Sequence, residues 1–244
     1  MPTELAVVSG KGGTGKTSLV ASFAALAESK VLADCDVDAA DLHLVLAPRV
    51  IERADFTGGK SARVILENCI GCGKCAEVCR FDAVTFDGPP NDVVAKTYLI
   101  DPLSCEGCGV CAHFCPAQAI EFSPHVSGEY YISETRHGLL VHARLGIAQE
   151  NSGKLVTLVR REARRVAEER GLDLLIIDGA PGIGCPVIAS LAGVDLALIV
   201  TEPTVSGMHD LDRVADLAAH FGIPACVCVN KCDINLQMTR RIEK

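Results

Sequence analysis

Apolar runs and helical periods alternate along the start of the chain. Residues 4–9 and 31–35 are short apolar runs that predict buried strands. Residues 10–15 form a glycine-rich loop, and residues 16–29 repeat apolar positions at helical spacing, as a helix would. A second, short helix is predicted over residues 39–46. Because a helix connects the first two strands, the pattern predicts a parallel sheet.

The same alternation returns in the second half of the chain. Residues 173–177 form an apolar run that predicts a fully buried strand ending at Asp178. Residues 152–170 predict a long charged amphipathic helix, whose run of charges over residues 160–165 is typical of a solvated face. Further strands are predicted over residues 128–135, 139–144, 196–200 and 225–229, the last two in the core, and further helices over residues 207–221 and 236–244.

The segment between these regions has no sustained period. From about residue 60 to residue 122, short strands are predicted around loops rich in cysteine and glycine. Residues 80–84 resemble residues 116–120, which indicates an internal duplication with an offset of about 36 residues. We therefore expect one α/β domain, residues 1–59 and 126–244, interrupted by an inserted domain over residues 60–125.

Composition narrows the classes of partner. The chain has 23 basic and 31 acidic residues, a net charge of -8, which argues against nucleic acid because phosphate-backbone binding needs a basic face. No apolar run approaches the roughly twenty residues that span a bilayer. The first residues also lack the charged start and apolar stretch of a secretory signal. We expect a cytoplasmic protein without stable membrane insertion.

Eight of the thirteen cysteines form two runs with the same spacing, C-x2-C-x2-C-x3-C. Three thiolates spaced in this way wrap one cuboidal cluster, and the fourth is directed at the cluster of the other run. Two 4Fe-4S clusters are therefore predicted. The expected ligands are Cys69, Cys72, Cys75 and Cys115 for the first cluster, and Cys105, Cys108, Cys111 and Cys79 for the second.

Two features bear on this interpretation of the cysteine runs. The second run ends in Cys115-Pro116, as a bacterial-type ferredoxin run does, whereas the first ends in Cys79-Arg80, which weakens the restraint on that loop but removes no ligand. Zinc is the alternative, because C-x2-C pairs also make tetrahedral sites of four thiolates. The tandem runs favour iron and sulfur.

Residues 10–17 fit the phosphate-binding motif G-x-x-x-x-G-K-[ST], between a predicted strand and a predicted helix. In such a loop the backbone amides cradle phosphates, a lysine neutralises them and a hydroxyl binds Mg²⁺. Lys16 and Thr17 are assigned these last two roles. The predicted nucleotide-binding residues are Gly10, Lys11, Gly12, Gly13, Thr14, Gly15, Lys16, Thr17 and Ser18.

A second lysine, Lys11, makes the loop resemble the deviant Walker A motif of MinD, ParA, Mrp and nitrogenase iron protein ATPases. The resemblance covers residues 1–50 and 140–235. It implies a mostly parallel sheet with helices on both faces, ATP hydrolysis with Mg²⁺, and a nucleotide-sandwich dimer in which Lys11 reaches the partner's phosphates. A homodimer or a heterodimer of paralogues is therefore expected.

The same resemblance assigns roles to three further residues. Asp36 matches the aspartate that positions the attacking water, although Asp34 and Asp38 are competing candidates and any of the three could instead cap the next helix. Asp178 matches the Walker B carboxylate, which acts on Mg²⁺ through water. Asn230 belongs to an N-K-x-D segment that in GTPases recognises guanine, but the family resemblance favours ATP or ADP, with Asn230 contacting adenine.

Taken over its whole length, the chain resembles MinD-superfamily P-loop ATPases with an inserted ferredoxin domain of the α+β bacterial type. The resemblance implies a redox or metal-cofactor protein as partner. Three functions remain open: an ATP-driven electron-transfer switch, a scaffold or carrier for metal clusters, and a redox-sensing positioning ATPase. Cys185 lies seven residues after Asp178, where the nitrogenase iron protein has a cluster ligand; an intersubunit metal site and a packed cysteine both remain open.

Overall fold

A computed structural model describes residues 1–146 and 152–244 of the protein. The chain forms two compact units. The first, called the α/β unit here, comprises Met1–Ala54, Glu129–Leu145 and the described residues from Ser152 to Lys244. The second, called the cysteine unit, comprises Asp55–Gly128 with Gly146.

Ten strands account for most of the predicted apolar runs. The predicted strands over residues 4–9, 31–35, 196–200 and 225–229 are confirmed within one or two residues, and the one over residues 173–177 is confirmed but continues to Pro181. The strands are β1 (Thr3–Ser9), β2 (Lys30–Asp34), β3 (Arg49–Val64), β4 (Val84–Gly88), β5 (Thr97–Ile100), β6 (Ile120–Thr135), β7 (Gly138–Leu145), β8 (Leu174–Pro181), β9 (Leu196–Thr201) and β10 (Ala225–Val229).

The helices follow the predicted pattern with shifted ends. The first ends three residues early, at Leu26, and the second begins late, at Leu42. The helices are α1 (Lys16–Leu26), α2 (Leu42–Leu46), α3 (Lys74–Val78), α4 (Val110–His113), α5 (Ser152–Arg170), α6 (Cys185–Leu191), α7 (Val205–His220) and α8 (Leu236–Ile242), with a 3-10 turn at Leu66–Asn68. Within residues 1–146 and 152–244, no helix is long and apolar enough to cross a membrane.

An eight-stranded sheet has the order β10-β9-β1-β8-β2-β7-β6-β3. The pairs of β1 with β8 and β9, of β2 with β7 and β8, and of β9 with β10 are parallel, as predicted. Asp178 of β8 lies opposite Val7 of β1 on one side and opposite Asp34 of β2 on the other. The carboxyl ends of these three neighbouring strands therefore meet. This edge of a parallel sheet is where ligands bind in open α/β folds.

Apolar side chains from the sheet and two helices form the main core of the α/β unit. Its members are fully buried or nearly so: Val7, Val20, Ala24, Leu32, Leu42, Leu46, Leu140, Ile176 and Val200. Burial of this kind contributes roughly 25 cal/mol for each Å² of apolar surface. The glycine loop and the carboxyl ends of β1, β2 and β8 are therefore built on a rigid base.

The cysteine unit has a smaller core of its own. Val64, Cys69 and Ala119 are its buried members, and partly buried residues such as Leu66 and Ile120 pack against them. β4 and β5 form a separate antiparallel pair, with Val84 opposite Ile100. Two of the cysteines predicted as ligands, Cys69 and Cys115, are part of this packing.

The chain leaves the α/β unit within β3 and returns to it within β6. Both strands have sixteen residues, far longer than the short strands predicted for this region. β3 mixes charged and apolar residues and is mostly exposed, so no apolar run marks it in the sequence. Inside the α/β unit, Arg53 of β3 pairs with Glu129 of β6.

Three further features of the structure differ from the sequence prediction. α6, at Cys185–Leu191, was not predicted, because a seven-residue helix has less than two turns of periodic signal. β10 is an edge strand whose first three residues are exposed, so it is not the core strand predicted. The charged segment of α5 is not a fully solvated face, because Arg160 is buried and bonds Glu4 and the carbonyls of Ala189 and Ala192.

Candidate functional site

The glycine loop lies between β1 and α1 and is held by a contact from the far end of the chain. The Asn230 Nδ2 donates a hydrogen bond to the Thr14 carbonyl at 2.8 Å. Gly15 has φ 91°, and a Cβ there would overlap that Asn230 amide, so both conformation and space require glycine. Helix α1 begins directly after it, at Lys16, which leaves the first amides of the helix at the loop.

Lys16 lies at the centre of a buried cluster of charges. Its side chain is 6% exposed, and the Nζ lies 2.5 Å from Asp178 Oδ1 and 3.6 Å from Asp36 Oδ2. Asp178, at the end of β8, is 1% exposed, and burial raises the pKa of its carboxyl. The structure therefore brings together three residues that the sequence separates by up to 162 positions.

Two buried polar atoms at this site have no hydrogen-bond partner among the described residues. They are the Thr14 Oγ1 and the Asp178 Oδ2. The nearby Thr17 hydroxyl, together with Lys16, lowers the pKa of the Asp178 carboxyl and so opposes the effect of burial. A buried acceptor without a partner costs about 1–3 kcal/mol unless a ligand satisfies it. A lysine, two hydroxyls and an acceptor-only carboxylate fit a phosphate chain with Mg²⁺.

Three aspartates compete in the sequence for the water-positioning role, and their surroundings differ. Asp34 is fully buried; its carboxylate accepts from the amides of Asp36 at 3.2 Å and Leu42 at 3.3 Å, which anchors the start of α2. Burial, followed by the nearby Asp178 charge, raises the pKa of Asp34 to about 8. Asp38 is exposed. Asp36 alone of the three faces Lys16 within ion-pair distance and is not used as an anchor.

Lys11 contacts residues of its own chain. Its Nζ lies 2.6 Å from Glu202 Oε1 and donates to the hydroxyls of Thr204 at 3.4 Å and Ser206 at 3.1 Å, at the start of α7. The partner-directed role implied by the resemblance concerns an assembly, whereas these contacts belong to the single chain. Glu202 therefore holds the Lys11 side chain in the α/β unit.

Two residues at the loop were missed in the sequence. Lys231 Nζ donates to the Gly13 carbonyl at 2.8 Å and pairs with Glu202 at 3.1 Å, so Glu202 bridges two lysines. Hydrogen bonds from Lys11 and then Lys231 hold the pKa of Glu202 below its usual value. The sequence could have indicated Lys231, because it follows Asn230 in the N-K-x-D segment. Glu202 belongs to no motif, so no local signal marks it.

In the cysteine unit, four thiols line one cavity that opens to solvent. They are Cys69, Cys72, Cys75 and Cys115, the set expected for the first cluster. The loop carrying the first of them is held by Asn91, whose amide donates to the carbonyls of Leu66 at 2.6 Å and Cys69 at 2.8 Å. Asn91 was not identified from the sequence, because nothing marks it locally.

A second cavity, also open to solvent, is lined by the other four thiols. They are Cys79, Cys105, Cys108 and Cys111, the set expected for the second cluster. Each cavity thus takes three thiols from one run and one from the other. All thirteen cysteines are free thiols, so none of these eight is occupied in a disulfide.

Backbone conformation repeats between the two cavities. Gly71 and Gly107 have φ 67° and 61°, and Gly73 and Gly109 have φ 77° and 74°. Asp82 and Gln118, three residues after the last cysteine of each run, have φ 51° and 50°. The predicted internal duplication is therefore a structural repeat.

Burial raises the pKa of the Cys75 thiol to about 11 and that of the equivalent Cys111 thiol above its usual value. A metal that binds these thiols must therefore displace their protons. Four sulfur donors at a cavity fit an iron-sulfur cluster, whose irons each take one cysteine thiolate.

The cysteines outside the two runs differ in solvent exposure. Cys185 is exposed at the first residue of α6, and Cys226 and Cys232 are also exposed. Cys35 is fully buried between the aspartates after β2, and burial raises the pKa of its thiol. Of these, Cys35 alone is a packed core residue.

Comparison with known proteins gives a family match within the cysteine unit and a fold match for the chain. The 4Fe-4S dicluster domain family matches residues 68–124, which lie within the cysteine unit, and supports iron-sulfur binding over zinc. Among solved structures, the chain resembles MinD from Pyrococcus horikoshii, complexed with Mg-ADP, and the cell division ATPase MinD from Pyrococcus furiosus. Both have a TM-score of 0.53; they are 16% and 17% identical, and the matches cover 99% and 100% of this chain and 77% and 80% of theirs.

Two curated relatives come from Methanocaldococcus jannaschii. The uncharacterized protein MJ0579 is 29% identical over 234 residues, which cover 95% of this chain and 81% of that protein. The uncharacterized protein MJ0578 is 37% identical over 243 residues, which cover 95% of this chain and 79% of that protein. Together with the two fold matches, this similarity shows that the chain belongs to the family of MJ0578 and combines a MinD-like P-loop fold with a 4Fe-4S dicluster domain.

Proposed function

We propose that the protein is a Mg²⁺-dependent ATPase whose nucleotide-driven dimer switch is coupled to electron transfer through two 4Fe-4S clusters. The observation that carries the proposal is the coexistence in one chain of two kinds of site. One is the buried Lys16, Asp36 and Asp178 cluster at the glycine loop. The other is the pair of cavities with four thiols each.

At the nucleotide site, Lys16 would neutralise the phosphates, and Thr17 with Asp178 would hold Mg²⁺. The Asp178 oxygen without a partner is available for a metal-bound water. Asp36 would orient the attacking water, because it lies at the same lysine and is partly accessible. The Pyrococcus horikoshii neighbour is complexed with Mg-ADP, which supports an adenine nucleotide. We assign the Asn230 side chain to positioning the loop and, from its motif, to the base.

The dimer switch concerns Lys11. In this chain Glu202 holds it through an ion pair of 2.6 Å, and both side chains are partly exposed. Phosphate oxygens carry more negative charge than one carboxylate, so a nucleotide competes with Glu202 for Lys11. Release of Lys11 toward a second subunit, either another copy or a paralogue, would then couple ATP binding to dimer closure.

At the cysteine unit, the two sets of thiolates would each hold one cluster. Bound iron-sulfur clusters supply one-electron transfer. The chain's own contribution is to position the thiols, to exclude water with buried apolar residues such as Ala119 and Ala83, and to leave Cys72 and Cys108 exposed toward a redox partner.

A second function is favoured by those two exposed thiols. A scaffold or carrier that passes a cluster to a recipient protein needs ligands that a recipient can reach, and each cavity has one exposed cysteine. The two functions differ in what leaves the protein: an electron in the first, iron and sulfide in the second.

The test uses full-length protein purified without oxygen. Iron content, the reduced-state electron paramagnetic resonance spectrum and ATP hydrolysis are measured with and without Mg-ATP. About eight irons per chain, with a reduced-state spectrum that changes on nucleotide binding, disappears on oxidation and returns on re-reduction, would support the switch. Stoichiometric loss of iron to an apoprotein would support the carrier.

Cys108→Ala separates the sites further. It should damage the second cluster and leave nucleotide binding intact, because Cys108 lines that cavity and no nucleotide-site residue does. Cys226→Ala is the control, since Cys226 is an exposed cysteine outside both cavities. A protein without ATPase activity, or with zinc in place of iron, would contradict the proposal.

A further inference from the structure

The two cavities are built on the same repeat but differ in charge at equivalent positions. The first residue after the leading cysteine is Ile70 in the first run and Glu106 in the second, and both line their cavities. The residue before the third cysteine is Lys74 in the first run and Val110 in the second, and both line their cavities as well. The lining of the first cavity thus includes a cation, Lys74, and the lining of the second includes an anion, Glu106.

Hydrogen-bond donors differ in the same direction. The glycine before helix α3, Gly73, faces the hydroxyl of Tyr98, whereas its equivalent before α4, Gly109, faces the apolar ring of Phe122. In the first cavity the Ala119 amide also donates to the Cys115 Sγ at 3.3 Å. Among the described residues, the equivalent Cys79 has no such bond.

Charge and hydrogen bonding around the sulfurs set the reduction potential of an iron-sulfur cluster. Reduction adds negative charge, so a nearby cation and donors to the ligand sulfur favour the reduced form, and a nearby carboxylate disfavours it. Because both differences act in the same sense, we infer that the two clusters are inequivalent and that the first cavity, at Cys69, holds the electron in preference to the second.

Other charges near the cavities do not line them. Lys74 pairs with Glu77 at 2.9 Å; the two side chains are 41% and 68% exposed, so solvent screens both charges, the carboxylate more than the ammonium. Arg80 and Asp82 follow Cys79 with opposite charges. The Lys60 Nζ lies 5.3 Å from the centroid of the Phe122 ring. Of these charged residues, Lys74 and Glu106 line a cavity and the others do not, so the order rests on these two.

The inference rests on the proposed function, because it requires both clusters. The inference adds the order in which the two clusters are reduced. An external low-potential donor gives up one electron, and the cluster at Cys69 accepts it before the cluster at Cys105 does. Oxidation by an external acceptor returns that electron. The second site then has the lower potential and is reduced only by the stronger donor.

The test is a redox titration of the whole protein, loaded with iron and sulfide, reduced stepwise with dithionite and followed by electron paramagnetic resonance. Cys72→Ser and Cys108→Ser assign each signal to a cavity. Wild-type protein should show the first-cavity signal before the second. Equal filling or the reverse order would overturn the inference.

Exchange of the lining residues tests the cause. Glu106→Ile copies Ile70 and should raise the reduced-to-oxidised ratio of the second cluster at fixed potential about tenfold, which corresponds to about 59 mV for one electron. Lys74→Val copies Val110 and should lower the ratio of the first cluster in the same measure. Glu106→Gln and Lys74→Gln remove the same charges with less change in shape and should act in the same directions.

Two matched variants control for the substitutions themselves. Glu121→Ile and Lys96→Val change the same residue types in the same unit, at surface ion pairs that do not line a cavity. They should leave both ratios unchanged. If they shift the potentials as much as the lining variants, or if the lining variants shift neither cluster, the inference fails while the proposed function stands. An iron content far below eight would instead defeat the proposed function, and the inference with it.

Discussion

The core of the α/β unit consists of apolar side chains from five strands and two helices, and its functional lysine, Lys16, is paired with carboxylates of the same unit. The core of the cysteine unit is small, and Cys69 and Cys115, two expected cluster ligands, are among its packing residues. A small domain whose ligands are also its core residues depends on the bound group for its fold. We therefore expect the α/β unit to keep its fold without a bound group, whereas the fold of the cysteine unit should depend on the group that it binds.

Removal of iron should give the largest difference between the two units. With a chelator under reducing conditions, we expect amides of the cysteine unit to lose protection from hydrogen exchange completely, because eight thiols would then surround two cavities without a bound group. Amides of β1 and β8 should keep their protection, since their core contains no ligand. Peptide-resolved hydrogen exchange measures both, and restored iron and sulfide should restore protection. Retained protection in both units would break the comparison.

Lys16→Ala should produce the next largest effect, confined to the α/β unit. The substitution removes the cation at the phosphate site, so Mg-ATP affinity should fall by about 100-fold or more. Iron content should not change. Isothermal titration calorimetry and iron analysis check the two statements.

The control for that prediction is Lys30→Ala, which removes a lysine of the same unit that bonds the Ala27 carbonyl. It should bind Mg-ATP as wild type does. Full ATPase activity in the Lys16→Ala protein would show that the assigned site is wrong.

Asp34 makes the stability of the α/β unit depend on pH. Its pKa is raised from 3.8 to about 8, so between these values the folded protein binds more protons at this residue than the unfolded chain does. The free energy of unfolding should therefore fall as the pH rises from 5 to 8. Asp34→Asn should reduce that fall by about 1–2 kcal/mol. Urea unfolding of the nucleotide-free protein at both pH values measures it, and an unchanged slope would rule out the assignment.

Glu202→Gln should give the smallest effect, because the pairs of Glu202 with Lys11 and Lys231 are partly exposed. Such pairs contribute about 0.2–1 kcal/mol. Loss of the competing carboxylate should strengthen Mg-ATP binding by up to about fivefold at low salt. The gain should vanish at high salt, where exposed charges are screened. Weaker binding would mean that Glu202 supports the loop rather than competes for its lysines.

Local motifs were predictable from the sequence, and partners distant in the chain were not. The cysteine runs and the glycine loop have fixed spacing because their residues bind one ligand from one short segment, so spacing alone predicted which thiols would line which cavity. Glu202 lies 191 residues from Lys11, and no local pattern relates them. Asn91 and Tyr98 likewise act on cysteine loops from outside the runs.

Secondary structure shows the same division. The strands of the parallel sheet are continuous apolar runs, because both faces are buried, and they were predicted. β3 has a mostly exposed face and a polar sequence, and its length was missed. Arg160 was misjudged because helical charge patterns do not reveal that one arginine turns inward to Glu4.

The crossing of the chain within β3 and β6 has a topological consequence. Both connections to the cysteine unit pass through neighbouring strands of one sheet, and Arg53 joins Glu129 where the two strands still belong to the α/β unit. Between these strands and the strands that carry the glycine loop and its aspartates, β1, β2 and β8, the sheet order places β7. The cysteine unit is therefore inserted at one margin of the sheet, and a change in its length leaves the order of the strands at the nucleotide site intact.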